Sequence, residues 1–177
     1  MTLLYVGPDG DLRGELPRVP ERGGKVYVQA PNRAGATMLT PSPLTSREHQ
    51  VLGLVARGHS NAAVARTLHL SEDTVKIYMK RLTRKLEVSA RAGAVVRALR
   101  RGLLEPPPRV TYTRPLSERE VQVLQGVADG KTNTAIGQGL GVSGLTVKSH
   151  LSRMGKVMGT GSRERMVALA WARGEVR

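Results

Sequence analysis

Displaced by 72 residues, the chain aligns with itself without a gap, and this duplication limits the possible folds more than any other feature. Leu44, Arg47 and Glu48 fall on Leu116, Arg119 and Glu120, and Gln50, Val51 and Leu52 fall on Gln122, Val123 and Leu124. Gly58, Asn61, Leu68, Ser71, Thr74, Val75 and Lys76 fall on Gly130, Asn133, Leu140, Ser143, Thr146, Val147 and Lys148. Between positions 44 and 76, 16 of 33 residues are identical to their counterparts. The 177 residues thus divide into an N-terminal segment (1–43), unit one (44–104), a linker (105–115) and unit two (116–177). Pro106, Pro107 and Pro108 in the linker cannot continue a helix and favour an extended, semi-rigid spacer.

Each unit reads as four short helices. Thr45 with Glu48, and Ser117 with Glu120, form capping boxes ahead of apolar runs. The first helix carries Val51, Leu52 and Val55, or Val123, Leu124 and Val127, and stops at Gly58 or Gly130. Ser60 or Asn61 caps a second helix with Ala63, Val64 and Leu68; its counterpart carries Ala135, Ile136 and Leu140. After a short turn Ser71 caps a third helix, about 72–86, whose stripe is Val75, Met79, Leu82 and Leu86. In unit two that stripe is Val147, Leu151, Met154 and Met158. A fourth helix, about 90–101, offers Ala94, Val95, Ala98 and Leu99, and its counterpart Val167, Ala170 and Trp171. Interior glycines each cost roughly 1 kcal/mol against alanine. Unit two, richer in glycine, is therefore expected to be the less stable or to lean on its neighbour. The predicted class is mainly α: two tandem four-helix units behind a short N-terminal β-hairpin or irregular segment. Residues 3–6 and 25–28 read as short strands and residues 7–11 as a turn.

The other face of the third helix carries Thr74, Lys76, Ile77, Lys80, Arg81 and Arg84. A helix pair with a short turn, its second member apolar within and cationic without, is a helix-turn-helix signature. Such a helix fits the major groove, where Lys and Arg meet guanine edges or phosphates and Ile77 could meet a thymine methyl. The hydroxyls of Ser71 and Thr74 suit phosphate. Charge agrees, with 28 Lys+Arg against 14 Asp+Glu and a net +14. That excess draws polyanions, duplex DNA first and an anionic membrane surface second. Unit one has 12 basic and 5 acidic residues over 44–105, and unit two 9 and 5 over 116–177, so unit one is expected to dominate affinity.

These residues closely resemble the LuxR-type (GerE-like) DNA-binding domain. Unit one matches its pattern at Leu44, Thr45, Arg47, Glu48, Val51, Leu52, Gly58, Ser60, Asn61, Leu68, Ser71, Thr74, Val75, Lys76, Lys85, Leu86, Val88 and Arg91. Unit two matches at Leu116, Arg119, Glu120, Val123, Leu124, Gly130, Asn133, Leu140, Ser143, Thr146, Val147, Lys148 and Arg163. The resemblance implies a third helix that reads the major groove. Lys76, Ile77 and Lys80 would then face bases, with Asn61, Thr74 and Arg91 near phosphates. In unit two Lys148, Ser149 and Ser152 would face bases. Asn133, Ser143, Thr146, Arg153, Lys156 and Arg163 complete the expected DNA-binding set. The resemblance also implies dimerisation through the fourth helix.

Three departures qualify it. Ser152 and Val157 stand where unit one has Lys80 and Lys85, so unit two should grip less or prefer another sequence. The glutamate usual at the start of the second helix is Ala63 and Ala135 here. No input domain, phosphoreceiver or ligand pocket, is recognisable in the 43 residues before unit one.

The expected function is a sequence-specific transcription regulator that reads adjacent half-sites of double-stranded DNA. It is expected to be no enzyme and to lie in the cytoplasm with the nucleoid. The alternatives are an adaptor binding RNA polymerase or sigma factor, and a phage or plasmid DNA-packaging or recombination accessory protein. Further candidate partners are RNA polymerase and a second copy, joined through fourth helices or the N-terminal segment. No membrane contact is expected, since the sequence has neither a long apolar run nor the basic and apolar regions of a signal peptide. Cysteine is absent, the four histidines lack ligand spacing, and no cofactor or metal is expected. Gly126, Gly130, Lys131 and Thr132 imitate a phosphate-binding loop, but one residue is missing between the glycines and a helix precedes them.

Overall fold

The structure, a computed structural model, describes residues 3–6, 12–15, 25–31, 37–41, 43–108 and 112–177. The N-terminal strands are β1 (Leu3–Val6), β2 (Leu12–Glu15), β3 (Lys25–Pro31) and β4 (Thr37–Pro41). They form one antiparallel sheet of order β2-β1-β3-β4. The two strands expected from the sequence pair with each other, Leu3 opposite Val28 and Val6 opposite Lys25. The expected turn at 7–11 lies outside the described residues.

Unit one folds as α1 (Ser46–Ala56), α2 (Asn61–Leu68), α3 (Glu72–Lys85) and α4 (Arg91–Arg100). Unit two repeats it as α5 (Glu118–Ala128), α6 (Asn133–Leu140), α7 (Gly144–Met158) and α8 (Arg163–Ala172). Both capping boxes form, closing two orphan donors at the start of α1 and of α5. Ser60, Ser71 and Ser143 cap α2, α3 and α7. The turn before the third helix needs a left-handed residue. Unit two supplies Gly141 there, and unit one supplies His69 at φ 52°. The expected stripes are buried: Val51, Leu52, Val55, Val64, Val75, Leu82 and Leu86 in unit one, and Val123, Leu124, Ile136, Val147, Leu151 and Met154 in unit two. Ala63 and Ala135, read as part of the second stripe, are not in the buried core; Ala135 is exposed.

The fourth helices pack against each other within one chain. Val96 of α4 belongs to the core of unit two, and its counterpart Ala168 of α8 to that of unit one. Trp171 touches both cores. The contacts are exchanged between counterparts. Gly58 backs onto Ser162, so that a Cβ there would come within 3.1 Å, and Gly130 backs onto Ala90 at 3.2 Å. Residue 162 is the counterpart of 90, as 130 is of 58. Swapped contacts of this kind define an isologous interface, which has a two-fold axis. The two units are therefore related as a dimer's protomers would be.

The linker departs from the spacer expected of it. Tyr112 is buried in the core of unit two, Thr113 donates its backbone N–H to the Val157 carbonyl, and Arg114 pairs with Glu120. The extended reach expected of a proline-rich tether is therefore not used at its C-terminal end.

Candidate nucleic-acid interface

The third helix of each unit turns its apolar stripe inward and leaves a polar face outside. On α3, Lys76, Ile77, Lys80, Arg81 and Arg84 are exposed, and Ser71 is exposed at its cap. On α7, Lys148, Ser149, Ser152, Arg153 and Lys156 are exposed, with Ser143 at the cap. Among the described residues, the side chains of Lys80, Arg81, Arg84, Lys148, Arg153 and Lys156 have no hydrogen-bond or ion-pair partner. Ser71 Oγ accepts from the Thr74 N–H and shares a hydrogen with Thr74 Oγ1 at 2.8 Å; Ser143 and Thr146 do the same. The cap hydroxyls are thereby fixed at the edge of each face.

The two faces differ in their first turn. Lys76 Nζ lies 2.9 Å from Asp73 Oδ1. That hydrogen bond, more than the charge attraction, lowers the Asp73 pKa and raises that of Lys76. Unit two has Leu145 in place of Asp73, and among the described residues Lys148 has no acidic partner. Neither Asp73 nor Leu145 was anticipated from the sequence, because the repeat draws attention to identities and both are mismatches. Exposure is the signal: among the described residues Ile77 (52 %) and Leu145 (76 %) are the exposed large hydrophobics, and they stand on the two third helices. Ser149 turns its hydroxyl back to the Leu145 carbonyl at 3.1 Å.

Asn61 and Arg91 are brought together, though not as free phosphate ligands. The Arg91 guanidinium donates to Asn61 Oδ1 and to the His59 carbonyl, with Nε 3.7 Å from Glu164. The pair ties the α1–α2 turn to α4 and to unit two. The counterparts Asn133 and Arg163 are not hydrogen-bonded to each other: among the described residues Asn133 Oδ1 is buried without a partner. Both line an open cleft of about 650 Å³ with Lys148, Ser152 and Lys156. Gly155, Gly159 and Gly161 leave this room where unit one carries Thr83, Glu87 and Ser89.

At the position of Lys85, where unit two carries Val157, the structure gives both residues a task within the fold. Lys85 makes a 2.7 Å ion pair with the buried Glu48. Burial opposes the charge on Glu48, but Lys85 and the Thr45 cap outweigh it and its pKa is lowered. In unit two Val157 joins the core, and the linker's Arg114 takes over the task with two contacts of 2.8 and 2.7 Å to Glu120. The hydrogen bonds from Arg114 hold Glu120 at about 2.

The family model described as bacterial regulatory proteins, luxR family, matches residues 42–98 and again 114–170. The chain is 35% identical over 100 residues to the nitrate/nitrite response regulator protein NarP of Escherichia coli (strain K12), covering 52% of this chain and 46% of NarP. It is 36% identical over 93 residues to the response regulator protein VraR of Staphylococcus aureus (strain Mu3 / ATCC 700698), covering 52% of this chain and 43% of VraR. The match therefore spans less than half the length of these relatives. No solved structure matches. With two family matches falling on the two four-helix units, the chain belongs to the luxR family of bacterial regulatory proteins and carries its helix-turn-helix domain twice.

Proposed function

We propose that this chain is a transcription regulator and that a single copy reads two half-sites of double-stranded DNA through the major groove. The observation that carries the reading is a pair of exposed helix faces, α3 and α7, whose cations are mostly unpaired in the free chain. Lys76, Ile77 and Lys80 would meet base edges in one half-site, and Lys148, Ser149 and Ser152 in the other. Arg81, Arg84, Arg153 and Lys156 flank them and suit phosphates, as do the caps formed by Ser71 with Thr74 and Ser143 with Thr146. Arg163 with Asn133 opens on the α7 cleft and suits a phosphate, whereas Arg91 with Asn61 holds its turn in place.

The exchanged contacts of α4 and α8 support inverted half-sites, because a two-fold relation between units presents the reading helices in opposite senses. They also make a homodimer through the fourth helices unnecessary, since those surfaces already cover each other. Among the described residues no helix is long and apolar enough to cross a membrane. A regulator of this kind acts on the nucleoid.

Selection from a random duplex pool, followed by footprinting and titration, tests the reading. The expected product is an imperfect inverted repeat with half-sites about one helical turn apart, bound one chain per duplex. A contact with about eight phosphates should give a log–log salt slope near −7. Absence of duplex binding at low salt would sink the function. Direct repeats, or two chains per duplex, would sink the single-chain arrangement alone.

A further inference from the structure

Each third helix pushes one aliphatic side chain into solvent, and the two do not occupy equivalent positions. On α3 it is Ile77, in the second turn; on α7 it is Leu145, in the first. The counterpart of Ile77 is Ser149, and the counterpart of Leu145 is Asp73. Leaving a leucine 76 % exposed on an otherwise polar face adds nothing to folding, because it has no core to join. The first turn of a recognition helix, however, is the part that meets base edges. Leu145 shares its face with Lys148, Ser149 and Ser152, at helical spacings of three, four and seven residues. Among the described residues Lys148, the nearest charge on that face, has no acidic partner.

We propose that Leu145 is a specificity-determining residue that packs on a thymine methyl, a base contact outside the set implied by the motif. The inference rests on the DNA-reading function set out above. The thymine methyl is the one apolar feature of the major-groove edge, which makes it the partner for an aliphatic group there. Unit one cannot make this contact at the same place, because Asp73 is charged and tied to Lys76. It offers Ile77 instead, four residues on, about 6 Å along the helix. The two half-sites should therefore place their methyl-read thymines at positions offset by roughly two base-pair steps from exact two-fold symmetry.

The test uses the full chain and the duplex it selects. Each thymine is replaced singly by deoxyuracil, which removes only the methyl, and affinity is measured for the wild type and for Leu145→Ala. Circular dichroism checks that the exposed substitution leaves the fold intact. One replacement should weaken the wild type about fourfold, the ratio expected for one buried methyl-sized group, and should cost Leu145→Ala nothing further. A second sensitive thymine, in the other half-site and at a non-equivalent position, should lose its effect in Ile77→Ser. If the wild type binds its duplex specifically but every replacement costs both proteins the same, Leu145 reads no methyl and this inference fails while the function stands. Failure of the wild type to bind any duplex would remove both.

Discussion

At the scale of single residues, the lysine most strongly marked by the motif is also the one partly spent. Lys76 is held by Asp73 in the free chain, so a phosphate or base must displace a carboxylate to reach it. Lys148, with Leu145 beside it, carries no such obligation. Asp73→Asn keeps the shape of the first turn and removes the competitor. It should raise affinity for random duplex at low salt and steepen the log–log salt slope by about 0.9, as one more phosphate becomes effectively neutralised. A fluorescence-anisotropy salt titration reads both quantities. An unchanged slope would mean that Lys76 does not reach the backbone or that its pair with Asp73 persists in the complex.

At the scale of the element, glycine has two opposite meanings in unit two, and only packing separates them. A Cβ on Gly137 would meet the Val142 carbonyl oxygen at 2.5 Å, whereas one on Gly139 meets nothing within 4 Å. Gly137→Ala should destabilise by about 1–3 kcal/mol through overpacking. Gly139→Ala should stabilise by about 0.5–1 kcal/mol through helix propensity. Urea unfolding of the two variants checks both signs. The difference illustrates what was legible beforehand. Caps, stripes and the cationic outer faces follow from local spacing, so α1–α3 and α5–α7 could be read directly. The mutual burial of α4 and α8 could not, because an apolar stripe states that something covers it and not what does. Nor could the exchange of Lys85 for Arg114, since the two residues reach equivalent glutamates from unrelated places in the chain. Leu145 does not stand out in the sequence because it lies off the apolar stripe of its helix and its counterpart in the repeat is Asp73.

At the scale of the whole molecule, the shared interface should make two repeats unfold as one body, and an acid-sensitive residue in unit one can expose that coupling. His49 is 2 % exposed, and burial pulls its pKa down to about 4, against smaller opposing effects from the Leu103 backbone and Glu48. The folded chain thus binds this proton less readily than the unfolded chain, whose histidine titrates near 6.5. Stability is then complete above about pH 6.5 and falls as pH drops toward 4, by on the order of 3 kcal/mol if the full shift is expressed. Glu120 adds a second decline at lower pH. Its folded value of about 2 lies below the usual 4.5, so its contribution is present above 4.5 and is lost as pH falls through 2. The first decline originates in α1, yet Trp171, the chain's single tryptophan, sits on α8 and packs on both cores. Urea transitions followed by tryptophan fluorescence and by far-ultraviolet circular dichroism should therefore shift together between pH 6.5 and 4.5, and His49→Gln should flatten both curves over that interval. Two midpoints that separate as the solution is acidified would show unit one melting alone, and would mean that the interface between α4 and α8 does not bind the repeats into a single cooperative unit.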